Sequence, residues 1–190
     1  IGDGAFWGCS GLKSIIIPDS VTSIGRSAFE GCKRLESVNI PDSVTSIGDG
    51  AFKDCEYLRS VTIPNSVTSI GNDAFGRCNR LTKVIVPDIA AWCGIAFDNY
   101  LANPLYFAKH LYSDETTEIT NLIIPISVTS IGNSAFYCCS SLTSIDIPNS
   151  VTTIGNYAFY GCYKLTSVTI PNSVTSIGEG TFYYCSSLTS

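Results

Sequence analysis

Residues 41–63 read Pro41-Asp42-Ser43-Val44-Thr45-Ser46-Ile47-Gly48-Asp49-Gly50-Ala51-Phe52-Lys53-Asp54-Cys55-Glu56-Tyr57-Leu58-Arg59-Ser60-Val61-Thr62-Ile63. Nearly the same words precede and follow them. Apart from Pro104, prolines stand at positions 18, 41, 64, 87, 125, 148 and 171, at intervals of 23, 23, 23, 38, 23 and 23 residues. With proline as offset 1, the unit is Pro-(Asp/Asn)-Ser-Val-Thr-Ser-Ile-Gly-x-x-Ala-Phe-x-x-Cys-x-x-Leu-x-Ser-(Val/Ile)-x-Ile. A fixed period of this length marks a stacked repeat, because one unit is too short to bury its own apolar face without neighbours.

Within a unit the apolar spacing changes. Val38 and Ile40 alternate with Ser37 and Asn39, the period-2 pattern of a strand with one face buried. Proline follows and, having no N–H, closes the strand. Val44 and Ile47 point inward next, and Gly48 marks a position tolerant of positive φ. Ala51, Phe52 and Cys55 have the spacing of one helical turn, with Leu58 beyond. Stacking such units sets parallel strands about 4.8 Å apart, so eight coils make a solenoid about 40 Å long. A single array over residues 1–190 is expected. Both terminal units are incomplete and no methionine occurs, which predicts a segment of a longer chain.

The stretch Leu35-x-x-Val38-x-Ile40 resembles the L-x-x-L-x-L signature of leucine-rich repeats. The whole unit, Ile-Pro-x-Ser-Val-Thr-Ser-Ile-Gly-x-x-Ala-Phe-x-x-Cys, resembles their BspA-like (Treponema-type) class. This resemblance implies a leucine-rich-repeat solenoid: a right-handed coil with a parallel β-sheet on one face and short helical turns and loops on the other. It also implies a cell-surface or secreted location and a part in attachment to host matrix proteins or other cells. Val and Ile replace Leu in this sequence. Ser20, Ser43, Ser66, Ser127, Ser150 and Ser173 occupy the place of the family's asparagine ladder.

One unit, Pro87 to Ile124, has 38 residues. Cys93-Gly94 stands where Ile-Gly belongs, and Ala96-Phe97 where Ala-Phe belongs, one residue early. That reading places a helical insertion at about 98–118 of the irregular 87–124 repeat. Asn103-Pro104 has the chemistry of an N-cap and first helical residue. Leu105, Phe107, Ala108, Leu111 and Tyr112 then predict a short apolar helix ending near Ser113, with Asp114 to Glu118 as an acidic return loop. The segment reads either as an insertion packed on the array's flank or as a binding protrusion. Trp92, Tyr100, Tyr106, Phe107 and Tyr112 would be the protrusion's anchors.

Little in the sequence suits catalysis. His110 is the only histidine, and Cys93, its one conceivable nucleophilic partner, falls at a core offset. Seven of the nine cysteines (Cys9, Cys32, Cys55, Cys78, Cys139, Cys162 and Cys185) share offset 15. Neighbouring coils bring such residues within disulfide range, but parallel in-register side chains have poor S–S torsions. A small apolar side chain fits an inward offset, so buried free thiols are expected. No C-x-x-C occurs and adjacent Cys138-Cys139 has poor zinc spacing, so neither metal nor cofactor is expected. No pair of acids is identifiable as glycosidase carboxylates.

Surface offsets say more. Offset 22 points out from the sheet, and there Ile85 and Ile123, in adjacent units, predict an apolar patch beside the insertion. Offset 13 holds Tyr137, Tyr160 and Tyr183 in three consecutive units, a ridge of stacked rings with wet hydroxyls. Eleven Lys and Arg against sixteen Asp and Glu give −5, which argues against a nucleic-acid partner. Residues 96–190 hold two bases and six acids, so the second half is the more acidic. Charged residues are 14% of the chain, against roughly 25% in an average domain. No apolar run approaches the ~20 residues of a membrane span. These features predict an extended, non-enzymatic interaction surface, and the resemblance implies an adhesion module with a host-matrix or cell-surface protein as partner. A repeat spacer carrying another domain is the alternative, and a polysaccharide-active enzyme a distant third.

Overall fold

The computed structural model describes residues 1–190. Strands in the first half are β1 (Ser14–Ile16), β2 (Ser23–Ile24), β3 (Ser37–Asn39), β4 (Ser46–Ile47), β5 (Ser60–Thr62), β6 (Ser69–Ile70) and β7 (Lys83–Ile85). The irregular unit contributes α1 (Ile89–Cys93), β8 (Ala96–Phe97), α2 (Leu105–Ala108) and β9 (Leu111–Tyr112). The second half adds β10 (Asn121–Ile123), β11 (Ser130–Ile131), β12 (Ser144–Asp146), β13 (Thr153–Ile154), β14 (Ser167–Val168) and β15 (Ser176–Ile177).

Each regular coil gives one strand before the proline and one after it. The first kind builds a five-stranded sheet, β1-β3-β5-β7-β9, and a three-stranded one, β10-β12-β14; the second kind builds β2-β4-β6-β8 and β11-β13-β15. All of these pairings are parallel. Val38 sits beside Val61 and Ile24 beside Ile47, one repeat apart, so equal offsets stack. The array is a parallel solenoid with one interruption of both ladders.

Stacking equal offsets makes columns of like side chains. Phe6, Phe29, Phe52 and Phe75 form a column with ring centroids 5.1–5.3 Å apart, and Phe136, Phe159 and Phe182 another at 5.2–5.6 Å. All nine cysteines are free. The thiols of Cys32, Cys55, Cys78 and Cys185 each donate to the carbonyl of the phenylalanine one coil back, at 3.2–3.3 Å. At the serine column, Ser43, Ser66 and Ser173 donate to Val21, Val44 and Val151 carbonyls at 2.6–2.8 Å. At these three coils serine therefore bridges to the neighbouring coil and gives its carbonyl a partner, whereas Ser150 Oγ is buried without one.

Two local expectations are corrected. Gly48 is required by coil-to-coil contact and not by φ: a Cβ there would lie 2.7 Å from the Arg26 main-chain nitrogen. The segment from Gly48 to Leu58 is a run of i→i−3 turns (Ala51 N–H to Gly48, Cys55 to Phe52, Leu58 to Cys55) and not a helical turn. Between these bonds, alternate N–H groups reach the next coil, as Phe52 does to Ala74, which removes them from any helix.

The irregular unit also differs from its sequence reading. Ala96-Phe97 pairs with Ser69-Ile70, so it stands in the Ser-Ile position. The residues exceeding the period fall in two places. Pairings of Ser69 with Ala96 and Val84 with Leu111 are both 27 residues apart, four more than the period, and α1 accommodates the difference. The remainder lies between Leu111 and Leu122, where Tyr112 faces Glu118 in an antiparallel hairpin. Helix α2 ends at Ala108, because Lys109 turns left-handed (φ 63°) and Leu111-Tyr112 joins the sheet. Ala102, Asn103, Leu105, Ala108 and Leu111 are buried, so this unit plugs the array and does not protrude.

Candidate interaction surface

The tyrosines of offset 13 stand on the turn side, outside the phenylalanine columns. Tyr137 and Tyr160 stack with centroids 4.6 Å apart and planes 8° from parallel. Tyr160 and Tyr183 follow at 5.8 Å. The irregular unit extends this column: Tyr100 stacks on Tyr137 at 5.7 Å, and Tyr106 approaches both, at 5.3 Å from Tyr100 and 5.9 Å from Tyr137. Phe107 packs edge-on against Tyr106 at 4.9 Å. Tyr184 closes the end, 4.4 Å from Tyr183. Two groups of aromatics that are 30 residues apart in the chain are thus one surface. Tyr100, Tyr183 and Tyr184 are exposed, and Tyr106, Tyr137 and Tyr160 half-buried. Desolvation within the column, then the neighbouring Cys138 and Tyr160, raise the Tyr137 phenol above its ordinary range. Desolvation also raises Tyr106.

Beside the column runs a cleft of about 470 Å³, lined among others by Asp98, Asn99, Asn133, Ser134, Asn156 and Tyr157. The asparagines belong to offset 9. Asn133 Oδ1 accepts from the Asn156 main-chain N–H and Asn156 Oδ1 from that of Glu179, each at 2.8 Å. Tyr157 has φ 56°, a conformation that Gly50 and Gly180 adopt at the same offset. A tyrosine held there costs about 1 kcal/mol or more. Its hydroxyl donates to Glu179 at 2.8 Å. Sequence reasoning did not single out Asp98, Asn133, Asn156 or Tyr157 as site residues. The recurring Asx at offset 9 was the available signal.

Other candidates lie elsewhere. Ile85 is buried at 4% exposure while Ile123 is 61% exposed. They are not neighbours: Ile85 pairs with Tyr112 and Ile123 with Asp146, because the hairpin inserts β9 between their strands. Lys83 reaches the main-chain oxygen of Glu115 and lies 4.8 Å from the Tyr112 ring, tying the hairpin to the edge of β7. The expected Ile85–Ile123 patch does not form. Trp92 is 1% exposed and its indole N–H donates to Ala135 O at 2.8 Å, so it is a core residue and not an anchor. Tyr112 is half-buried on the sheet side, away from the tyrosine column.

Stacked parallel coils with repeated interior columns and a variable outer ridge define a leucine-rich-repeat protein, a class that commonly mediates protein–protein interaction. The chain belongs to the family described as BspA type leucine-rich repeat region, which matches in six copies over residues 1–101 and 107–190. It is similar to the leucine-rich-repeat protein of T. pallidum, at 28% identity and TM-score 0.51, covering all of this chain and 71% of that one. The pneumococcal vaccine antigen PcpA is 25% identical over 88% of this chain and 47% of its own, with TM-score 0.51. A leucine-rich-repeat protein of Eubacterium ventriosum shares the fold at 24% identity and TM-score 0.51, over 93% and 59% of the two chains. No protein of curated function matches the sequence. No helix is long and apolar enough to cross a membrane.

Proposed function

We propose that the chain is a non-enzymatic recognition module of a bacterial surface protein, holding a host-matrix or cell-surface protein against its tyrosine column. The observation that carries this reading is the continuity of Tyr100, Tyr106, Tyr137, Tyr160 and Tyr183 across four successive coils. Tyrosine gives large amphipathic contact area at low entropy cost, and Asn and Ser give adaptable hydrogen bonds; together they are the composition of binding loops selected for protein targets. Stacking fixes the rings beforehand, which lowers the ordering cost of association. The cleft is lined by a single carboxylate, Asp98, and by no histidine or cysteine, which suits recognition better than acid–base chemistry. Family membership and the likeness to a vaccine antigen support an envelope location.

Surface-immobilised protein should capture at least one purified extracellular-matrix or cell-surface protein. Tyr137→Ala with Tyr160→Ala should weaken that capture by about tenfold or more, as loss of paired aromatic anchors does, while the far-UV spectrum stays unchanged. Equal capture by the variant, or no capture by the parent protein, would leave the structural spacer as the better reading.

A further inference from the structure

The cleft's hydrogen-bonding groups are unbalanced. Asn133 and Asn156 each commit Oδ1 to the next coil, which leaves both Nδ2 amides without a partner in the chain. Tyr100, Tyr137 and Ser134 line the same cleft and bring further hydroxyl groups to it. The cleft thus offers donors in a row, one charged acceptor at its end, Asp98, and no cation. Through Asn99 it joins a polar concavity of about 490 Å³ on the first half, which shares Arg26, Ser27 and Glu30 with a third of about 430 Å³. The three make one trough along the axis of the array, and an elongated occupant fits it.

We propose that this cleft binds a proline-rich polypeptide segment in the polyproline II conformation, with a flanking Arg or Lys against Asp98. The inference rests on the protein-recognition reading above and names its partner class. A polyproline II chain makes no internal hydrogen bonds, and proline has no N–H, so such a segment is rich in free carbonyls and poor in donors. That is the complement of a donor row. Spacing agrees as well: one three-residue turn advances about 9.3 Å, close to two coils at about 4.8 Å each. Along the column that flanks the cleft, Tyr137 and Tyr183 are two coils apart, and so are Tyr100 and Tyr160, so a chain running on from the cleft meets equivalent rings at successive turns. Apolar proline rings against tyrosine edges follow the general mode of aromatic-lined polyproline grooves. An extended β-strand repeats every two residues, about 6.7 Å, and does not keep this register.

The test uses synthetic peptides of about ten residues, long enough at ~3.1 Å per residue to run along the cleft. An uncharged polyproline peptide is titrated by calorimetry into the whole parent chain and, beside it, into the variants Asn133→Asp and Asn156→Asp. These variants keep Oδ1 for the coil ladder, as Asp49 does for Asn72 N–H, and exchange the amide donor for a charged acceptor that repels carbonyl oxygens. Each should weaken binding about tenfold, the worth of one hydrogen bond. An Arg-flanked peptide should bind more tightly than the uncharged one, and Asp98→Asn should abolish that difference. The proposal is overturned if the peptide does not bind, if both variants bind it as well as the parent, or if a neutral oligosaccharide binds instead. Should the peptide fail while Tyr137→Ala and Tyr160→Ala still abolish protein capture, this inference falls and the recognition reading stands. If capture is absent too, both fall.

Discussion

The side-chain amide of Asn103 donates to the main-chain oxygen of Ala135 across 3.0 Å, and the indole of Trp92 donates to the same oxygen across 2.8 Å. In regular coils that acceptor belongs to the phenylalanine N–H one coil back: Phe29 to Ala51, Phe52 to Ala74, Phe136 to Ala158. Ala135 has no such phenylalanine beneath it, since the irregular unit intervenes. Two side chains therefore replace one rung of the backbone ladder, and both are buried with it. Asn103 also donates to Ser134 O at 2.7 Å, and its own Oδ1 accepts from Leu105 N–H at 2.9 Å, which fixes the start of α2. The splice keeps one core continuous through the break.

Redundancy at Ala135 O makes a specific pattern of energies. Trp92→Phe alone leaves the Asn103 donor in place and should cost about 1–2 kcal/mol. Asn103→Leu keeps the indole donor but also strips the buried Leu105 N–H of its acceptor and should cost about 2–4 kcal/mol. The double variant orphans a buried carbonyl and should lose about 1–3 kcal/mol more than the two singles added together. Chemical denaturation of the four proteins measures this. Strict additivity would mean that the oxygen is satisfied in some other way.

Much of the array was readable because the period is a ruler. Once Phe52 and Cys55 are inward, every residue 23 positions away is inward as well, and parallel register follows with no further information. The irregular unit escaped that logic. Ile85 is at an outward offset, and only a non-local pairing with Tyr112 puts it under cover. The Tyr ridge was visible as three equal offsets, but Tyr100 and Tyr106 join it only because Asn103 and Trp92 splice the next coil directly onto their own. Gly48 shows a subtler limit: a glycine kept for steric approach and one kept for positive φ look alike in a sequence.

Ile85 and Ile123 should respond oppositely to the same substitution. Ile85→Asp buries an uncompensated carboxylate beside Tyr112 and should cost about 3 kcal/mol or more. Ile123→Asp, exposed and next to Asp146, should stay within roughly 0.5 kcal/mol of the parent. Thermal melting decides between this arrangement and a shared surface patch, which predicts two small effects.

The thiol column should be chemically quiet. Burial, first of all, pushes Cys78, Cys93 and Cys139 up to about 12, and Cys32 and Cys138 to about 11. Only the thiolate reacts with disulfide reagents, so these groups are protected at neutral pH twice over, by access and by protonation. Cys9 is the exposed exception, and Cys185, lowered by hydrogen bonding with Cys162, is protected by burial alone. A colorimetric thiol assay on the native protein should register one fast-reacting cysteine, lost in Cys9→Ser, and all nine after denaturation. Several fast thiols in the native state would contradict the packed column.

The same shifts make the array sensitive to alkali, with a definite order. A thiol or phenol whose folded pKa is raised stabilises the fold fully below its unfolded pKa, and that contribution is lost as pH rises toward the folded value. Unfolded cysteine titrates near ~8.5 and tyrosine near ~10. Stability should therefore begin to fall above about pH 8.5 through the buried thiols, and fall further above about pH 10 through Tyr137 and Tyr106. Hydrogen bonding to Glu179 raises the half-buried Tyr157, and hydrogen bonding to Tyr183 raises the exposed Tyr184. Phenolate absorbance of the native protein should accordingly lag behind that of free tyrosine. Tyr137→Phe should remove the most resistant part of the titration and flatten the second fall in stability, leaving the first unchanged. Cys78→Ala should reduce the first by the share of one thiol and leave the second. A single alkaline transition, indifferent to both substitutions, would show that neither column governs the response.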